Sequence, residues 1–246
     1  MKLNYQIKYN TTGVILLKNF FPKKEIDFLE KKINSYIKKN KKKLKGKDIN
    51  LINGKVNSLH NFKDIFFKKF SKQKKILNIV KNLLKDNPKF RKCEYFAKPR
   101  KIGLESPLHQ DNFYWNLKNG KGLTIWIPLD EVNKKNGSLM YLLKSHNLGN
   151  VKHEASFAPG SSQKVSDIKE FKKKYKLKIF NLTSGDCLIH HSQVIHGSSK
   201  NSTLSNRRAF TIQFMGKKEK INKIGLKNYQ KSLRMQISKR KIKSIK

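Results

Sequence analysis

The sequence predicts a mainly β domain with flanking helices, and three observations carry the prediction. Between Phe90 and Gly216, short runs of β-branched and aromatic residues alternate with turns. Two apolar stripes at helical spacing precede them, and a third lies in the basic C-terminal segment. A length of 246 residues suits one domain with a sizeable core. The expected organisation is therefore one domain over residues 1–216, with N-terminal helices, and a basic segment over 217–246 that is itself helical.

In chain order, residues 13–20 (GVILLKNF) read as a short apolar strand. Pro22 then opens a helix running to about Lys39, with Ile26, Leu29, Ile33 and Ile37 on its core face. Ser71 is placed to cap a second helix ending near Lys85, whose stripe is Ile76, Val80, Leu83 and Leu84. Residues 94–98 (EYFAK) form a strand, 99–107 a turn-rich loop, and 123–129 (LTIWIPL) a buried strand. The turn Ser184-Gly185 launches a strand over 186–194, and 207–214 (RRAFTIQF) gives another. In the tail, Leu226, Tyr229, Leu233 and Ile237 recur at helical spacing, which predicts a helix docked on the sheet; a membrane-surface helix is the alternative. Cys93 and Cys187 fall in strands and read as buried reduced thiols. With no signal peptide, transmembrane run or internal repeat, a cytoplasmic protein is expected.

Charge is extreme but uneven. The formal net charge is +41, yet residues 102–146 carry five lysines against four carboxylates, whereas residues 217–246 carry twelve basic residues against Glu219 alone. Such an excess suits nucleic acid or an anionic surface. Against that, only six of the 57 basic residues are arginine and no stacking aromatics accompany them, so no specific nucleic-acid site is expected. Lysine-rich runs such as 38–47 read as solvated surface.

Chemistry concentrates elsewhere. His109 and Asp111 stand two apart at a strand entrance, and the two-residue period of a strand points both side chains to one face. A histidine from a distant strand completes two nitrogens and one oxygen on one face of a metal, the donor set of non-haem Fe(II) oxygenases. His190, His191 and His196 compete for that place; His196 is favoured because Gly197 follows it and because Arg207 and Arg208 lie at a fixed remove. The other two are expected to face the core or the pocket wall. A guanidinium grips a carboxylate with two parallel hydrogen bonds. Adjacent strand residues face opposite ways, so Arg207 enters the pocket and Arg208 is expected as a solvated surface charge. Phe113, Tyr114 and Trp115 suggest an aromatic wall, and a loop over 147–166 could cover the substrate and bring in His153.

These segments resemble the phytanoyl-CoA dioxygenase family of Fe(II)- and 2-oxoglutarate-dependent oxygenases, from about Thr12 to Gly216: AKPR at 97–100, PLHQDNFYW at 107–115, LTIWIPLDEV at 123–132, NGSLMYLLKSH at 136–146, GDCLIHHSQVIHG at 185–197 and NRRAF at 206–210. The resemblance implies a double-stranded β-helix, a jelly-roll or cupin-like barrel with the site in its mouth. It implies His109, Asp111 and His196 as iron ligands, and Arg207 aided by Ser198 on the far carboxylate of 2-oxoglutarate. Gln110 and Trp126 fall near the co-substrate. Lys144 stands where the family has glycine before Ser-His. Because Asp111 is a carboxylate, not the small residue of the halogenating relatives, hydroxylation or a related oxidation is implied, consuming O2 and releasing succinate and CO2. The partner is a small-molecule substrate. Two other readings compete: a ligand-binding barrel without turnover, which the intact His109, Asp111, His196 and Arg207 disfavour, and a basic nucleic-acid-binding protein.

Overall fold

The computed structural model describes residues 2–44, 48–158 and 161–243, so the end of the lysine run at 38–47 and the last three residues of the tail lie outside it. The larger of two antiparallel sheets contains β1 (Val14–Leu17), β2 (Ile49–Ile52), β3 (Lys55–His60), β4 (Pro88–Lys98), β6 (Gly122–Pro128), β11 (Cys187–His191) and β13 (Arg207–Gly216), in the order β1-β11-β6-β13-β4-β3-β2. The smaller contains β5 (Ser106–His109), β7 (Leu139–Leu142), β10 (Leu177–Ile179) and β12 (His196–Ser198), in the order β10-β7-β12-β5. The sheets face each other, with Leu139 and Tyr141 of the smaller packed on Trp126, Leu188 and Ala209 of the larger. This is the expected jelly roll.

Strand alternation gives the larger sheet two unlike faces. Cys93, Tyr95, Ala97, Ile125, Ile127, Ile189, Phe210, Ile212 and Phe214 point outward into the main core. There they meet α2 (Lys23–Asn40) through Ile26, Leu29 and Ile33, α3 (Ile65–Ser71) through Phe67 and Phe70, and α4 (Lys74–Leu84) through Ile76, Val80, Leu83 and Leu84. The opposite face turns toward the smaller sheet and carries the polar residues of the site.

Several local expectations change. A helix, α1 (Lys2–Thr12), precedes β1 and buries Tyr9; its apolar residues Leu3, Tyr5, Ile7 and Tyr9 alternate along the sequence and so hide the helical period. Ser71 caps nothing. It ends α3 and donates to the Lys68 carbonyl, while Asp64 caps α3 by accepting from Phe66 N at 2.8 Å. The hairpin of β2 and β3 turns on Asn53-Gly54, both at positive φ, the favoured chemistry of a two-residue turn. The loop over 147–166 contains a hairpin of its own, β8 (His153–Ala158) and β9 (Ser161–Val165), which runs on into a short helix, α6 (Ile168–Lys174). The tail helix, α7 (Lys223–Lys243), has its main contacts with this hairpin and with α5 (Asp111–Trp115). Lys144 adopts φ 71, the left-handed conformation natural to glycine, so the turn is kept at a cost of about 1–2 kcal/mol. Both cysteines are buried and free. Among the described residues, no helix is long and apolar enough to cross a membrane.

Candidate metal centre and co-substrate pocket

His109 is the last residue of β5, Gln110 is extended, and Asp111 is the first residue of α5. The two-residue alternation therefore holds through Gln110 although the strand has ended. β12 lies beside β5 with His196 directly opposite His109. Ligand atoms of His109, Asp111 and His196 lie within 4.8 Å of one another, with Asp111 Oδ1 3.9 Å from His109 Nε2 and 3.8 Å from His196 Nε2.

Hydrogen bonds fix which atoms are free. His109 Nδ1 donates to the Pro107 carbonyl at 2.7 Å and His196 Nδ1 to the Val194 carbonyl at 3.1 Å. A carbonyl can only accept, so each ring keeps its proton on Nδ1 and presents the Nε2 lone pair to the cluster. Burial lowers both imidazole pKa values, favouring the neutral form that a metal needs. Asp111 Oδ2 accepts from Thr124 Oγ1 at 2.6 Å and from His190 Nε2 at 3.2 Å, which leaves Oδ1 facing the two imidazoles. Burial pushes the Asp111 carboxyl up, but the His190 hydrogen bond and the surrounding rings of His196, His190 and His109 outweigh it and hold it well below the usual carboxylate range. His190 has no lone pair to give: its Nε2 proton is spent on Asp111, and Nδ1 accepts from Tyr141 Oη at 3.0 Å. It is a pocket-wall residue that orients the acid. His191 points the other way, toward Tyr9 and His146. Two neutral nitrogens and one carboxylate oxygen fit Fe(II).

The neighbouring expectations divide. Gln110 is buried and its side chain faces away from the cluster, donating to the carbonyls of Gly149 at 2.7 Å and Gln193 at 2.6 Å and accepting from Val151 N at 2.9 Å. With those amide groups engaged, it fixes the link between His109 and Asp111 and turns its polar atoms away from the cluster. His153 Nε2 accepts from Gln110 N at 3.1 Å, and its ring stacks on Phe113. Of the three consecutive aromatics, Tyr114 lies against the cluster, its ring centroid 5.5 Å from that of His109; Trp115 packs with Leu117 and Met215 under Arg91.

Arg207 is 3 % exposed, and its guanidinium lies 5.6 Å from the centroid of Trp126 on the same concave face. Its Nε has no hydrogen-bond partner, an orphan that suits an anion. Ser198, two residues beyond His196 on β12, is buried and lies opposite Ser106, which shares a cavity wall with Arg207. Arg208 leaves on the outer face, as alternation requires, but it is no free surface charge. It grips Asp130 through Nε at 3.0 Å and Nη2 at 2.6 Å and reaches Glu30 of α2. The two carboxylates lie 78 and 178 positions away along the chain, so local patterning carries no sign of the pairing.

Other groups at the site were legible only through pairing. Thr124, which holds Asp111, sits opposite His190 on one side and Gln213 on the other. Gln213 donates to Glu94, which also holds Lys92 at 2.7 Å and His60. Burial pushes the Glu94 carboxyl up, but Lys92 and His60 more than offset this and bring it down to about 2. Tyr229 of α7 closes the side, its ring 5.3 Å from that of Tyr114. A surface cleft of about 730 Å³ lined by Lys55, Arg100, Asp130 and Asn206 includes none of the cluster residues.

A family model for phytanoyl-CoA dioxygenase matches residues 9–209. The chain is 28 % identical over 162 residues to phytanoyl-CoA dioxygenase domain-containing protein 1 of Danio rerio, covering 64 % of this chain and 55 % of that one. It is 27 % identical over 165 residues to phytanoyl-CoA dioxygenase 1 of Oryza sativa subsp. japonica, covering 65 % and 56 %. The chain thus spans a little over half the length of these curated relatives. Among solved structures, EctD from S. alaskensis with bound Fe superposes with a TM-score of 0.73 at 18 % identity, covering 87 % of this chain and 76 % of that one. The alpha-ketoglutarate-dependent carbocyclase SnoK from nogalamycin biosynthesis gives 0.74 at 17 %, covering 89 % and 85 %. At these identities the structural likeness establishes the fold.

Proposed function

The chain belongs to the phytanoyl-CoA dioxygenase family, and from that premise we propose that it is an Fe(II)- and 2-oxoglutarate-dependent oxygenase that hydroxylates a small organic substrate. The observation that carries the reading is the cluster of His109 Nε2, His196 Nε2 and Asp111 Oδ1, each freed by a hydrogen bond on its other side. Iron with 2-oxoglutarate and O2 supplies the oxidising chemistry, one oxygen atom entering the substrate and the other the succinate released with CO2.

The chain's own residues position and seclude. Thr124 and His190 hold Asp111 in one orientation, and Gln110 ties the loop that carries it to Gly149, Val151 and Gln193. Arg207, with Trp126 and Ser198 beside it, anchors the far carboxylate of 2-oxoglutarate and aims its keto-acid end at the cluster. Tyr114 and Tyr229 roof the site against water. The wall beyond Thr124 bears Gln213, Lys92, Glu94 and His60, a polar surface that favours a compact polar substrate over a long acyl chain.

The test is anaerobic addition of 2-oxoglutarate to the Fe(II)-loaded protein, then oxygen with panels of polar and acyl compounds. A metal-to-ligand absorption band and substrate-stimulated succinate release are expected, strongest among the polar compounds. Iron binding with no such band and no consumption of 2-oxoglutarate would sink the proposal.

A further inference from the structure

We propose that the substrate of this site is a short carboxylic acid, held by Arg91 through its carboxylate and by Gln213 through a hydroxyl or amino group next to it. The inference rests on the function proposed above and names the substrate class for it.

A β-bulge puts Arg91 in place. β4 and β13 pair Lys92 with Gln213 and Phe90 with Phe214, so Arg91 is the extra residue between two registers. Unbroken alternation from Glu94 and Lys92 would turn Phe90 inward and Arg91 outward. Instead Phe90 packs on Phe214 in the outer core. Arg91 joins Lys92 on the concave face, its guanidinium 4.7 Å from the centroid of the Trp115 ring and its Nη1 3.6 Å from Met215 Sδ. Trp115 is one helical turn from Asp111 along α5, a rise of about 6 Å, so the reach from the metal cluster to this arginine is short.

Among the described residues Arg91 forms no ion pair, and its Nε is buried without a hydrogen-bond partner. Burial lowers its pKa against the pull of Asp111 and then of Glu94. Both carboxylates are spent elsewhere: Asp111 on Thr124, His190 and the two ligand imidazoles, Glu94 on Lys92, Gln213 and His60. A guanidinium resting on an indole and a thioether lacks the planar anion that its fork of donors fits.

Gln213 supplies the second point of attachment. Its Nε2 donates to Glu94, whose oxygens can only accept, so the amide has one orientation and Oε1 is the atom left over. The residue is 4 % exposed, and that oxygen has no partner. Across the strand pair stands Thr124, which holds Asp111. An open donor and an open acceptor on one face match a carboxylate that carries an O–H or N–H; a hydrocarbon chain would leave both unpaired.

The protein loaded with Fe(II) and excess 2-oxoglutarate under nitrogen is titrated with short 2-hydroxy and 2-amino acids, each paired with its methyl ester. Binding is read as a shift of the metal-to-ligand band without its loss, and turnover as succinate released when oxygen is admitted. Members of the acid set should bind and stimulate release, with their esters about ten- to a hundredfold weaker, the worth of a hydrogen bond to a charged group. Arg91→Met should weaken the acids by that factor and leave the esters unchanged, whereas Arg91→Lys should keep part of the preference. An arginine that only staples β4 to Trp115 would weaken acid and ester alike. That result, or an acid preference that survives in Arg91→Met, overturns the proposal. Plain acids that bind as well as the hydroxy and amino acids remove Gln213 from it. Wild type that binds esters as well as acids, or no acid at all while the co-substrate band forms, overturns the substrate class alone and needs no folded variant. Absence of that band with 2-oxoglutarate sinks the parent function and this inference with it.

Discussion

The two faces of the larger sheet are made by the same strands and do opposite work. On β13, Ala209, Thr211 and Gln213 look inward with Arg207, while Phe210, Ile212 and Phe214 look outward with Arg208. The outer face is sealed by helices and its one arginine is paired with Asp130 and Glu30. Among the described residues the inner face holds Arg207 outside any ion pair with its Nε unpartnered, Asp111 with one oxygen turned to the two imidazoles, and Glu94 held by Lys92 and His60. Stability is concentrated on one side and unfinished chemistry on the other, so substitutions on the two faces should separate fold from function.

The largest effect should come from the metal cluster. Asp111→Ala or His196→Ala is expected to abolish Fe(II) binding and turnover while leaving thermal unfolding within a few degrees of wild type, since these side chains line a cavity and do not fill the core. His190→Ala should retain iron with weaker affinity, because it removes one hydrogen bond to Asp111 and no ligand. Metal titration of the three variants decides; normal iron binding by His196→Ala with loss in His190→Ala would reverse the assignment. The outer-face counterpart is Phe210→Ala, which should cost about 3–5 kcal/mol of stability and leave the affinity of the folded fraction for 2-oxoglutarate unchanged.

The adjacent arginines sharpen the comparison at one step along the chain. Truncating one partner of a buried charge pair costs about 2–5 kcal/mol, so Arg207→Ala should weaken 2-oxoglutarate binding by about thirtyfold to a few thousandfold. Arg208→Ala should instead lower stability, through loss of its contacts with Asp130 and Glu30, and barely change the affinity. Anaerobic binding and chemical unfolding of both variants provide the check. Equal affinity losses would remove the distinction between the faces.

What the sequence revealed follows from the range of the interactions involved. The spacing of His109 and Asp111, the apolar period of α2 and the alternation along β13 are local, and each predicted a correct facing. Glu94 reads as an ordinary strand residue because two of its three partners, His60 and Gln213, lie on other strands 34 and 119 positions away. Arg208 looked solvated for the same reason, with Glu30 178 positions away. The resemblance places Gln110 by its position in a motif, and strand alternation turns its side chain away from His109 and Asp111. Resemblance located the neighbourhood of the site, and only pairing in space shows what each side chain there touches.

Glu94 gives a smaller, pH-dependent effect on the inner face. Its carboxyl lies at about 2 in the folded protein against an ordinary 4.5. A depressed carboxyl contributes stability that is present above its unfolded pKa and is lost as pH falls through the folded one, so the window runs from about pH 5 to about pH 2. The drop corresponds to roughly 3 kcal/mol. Unfolding measured across that window should show wild type losing stability faster toward acid than Glu94→Gln, which carries no titrating group there. Parallel curves would mean that the cluster around Glu94 does not favour its charged form.

The smallest effect should follow from cutting the tail at the right place. α7 reaches the site region through Tyr229 against Tyr114, Ser232 accepting from Gln163 Nε2 at 3.2 Å, and Gln236 accepting from Phe157 N at 3.2 Å. Ile237 beyond them is 38 % exposed, and the residues to the end of the chain add five basic side chains, a charge that reads as composition, not as a binding surface. Deleting 237–246 keeps all three contacts and should leave turnover of a small substrate nearly unchanged. Deleting 223–246 removes the wall that Tyr229 provides and should raise uncoupled consumption of 2-oxoglutarate by admitting water. Succinate release with and without substrate, compared between the two deletions, separates the cases. Loss of turnover in a folded protein lacking only 237–246 would mean that the inner face is completed by the very end of the chain as well as by the turn of helix that carries Tyr229.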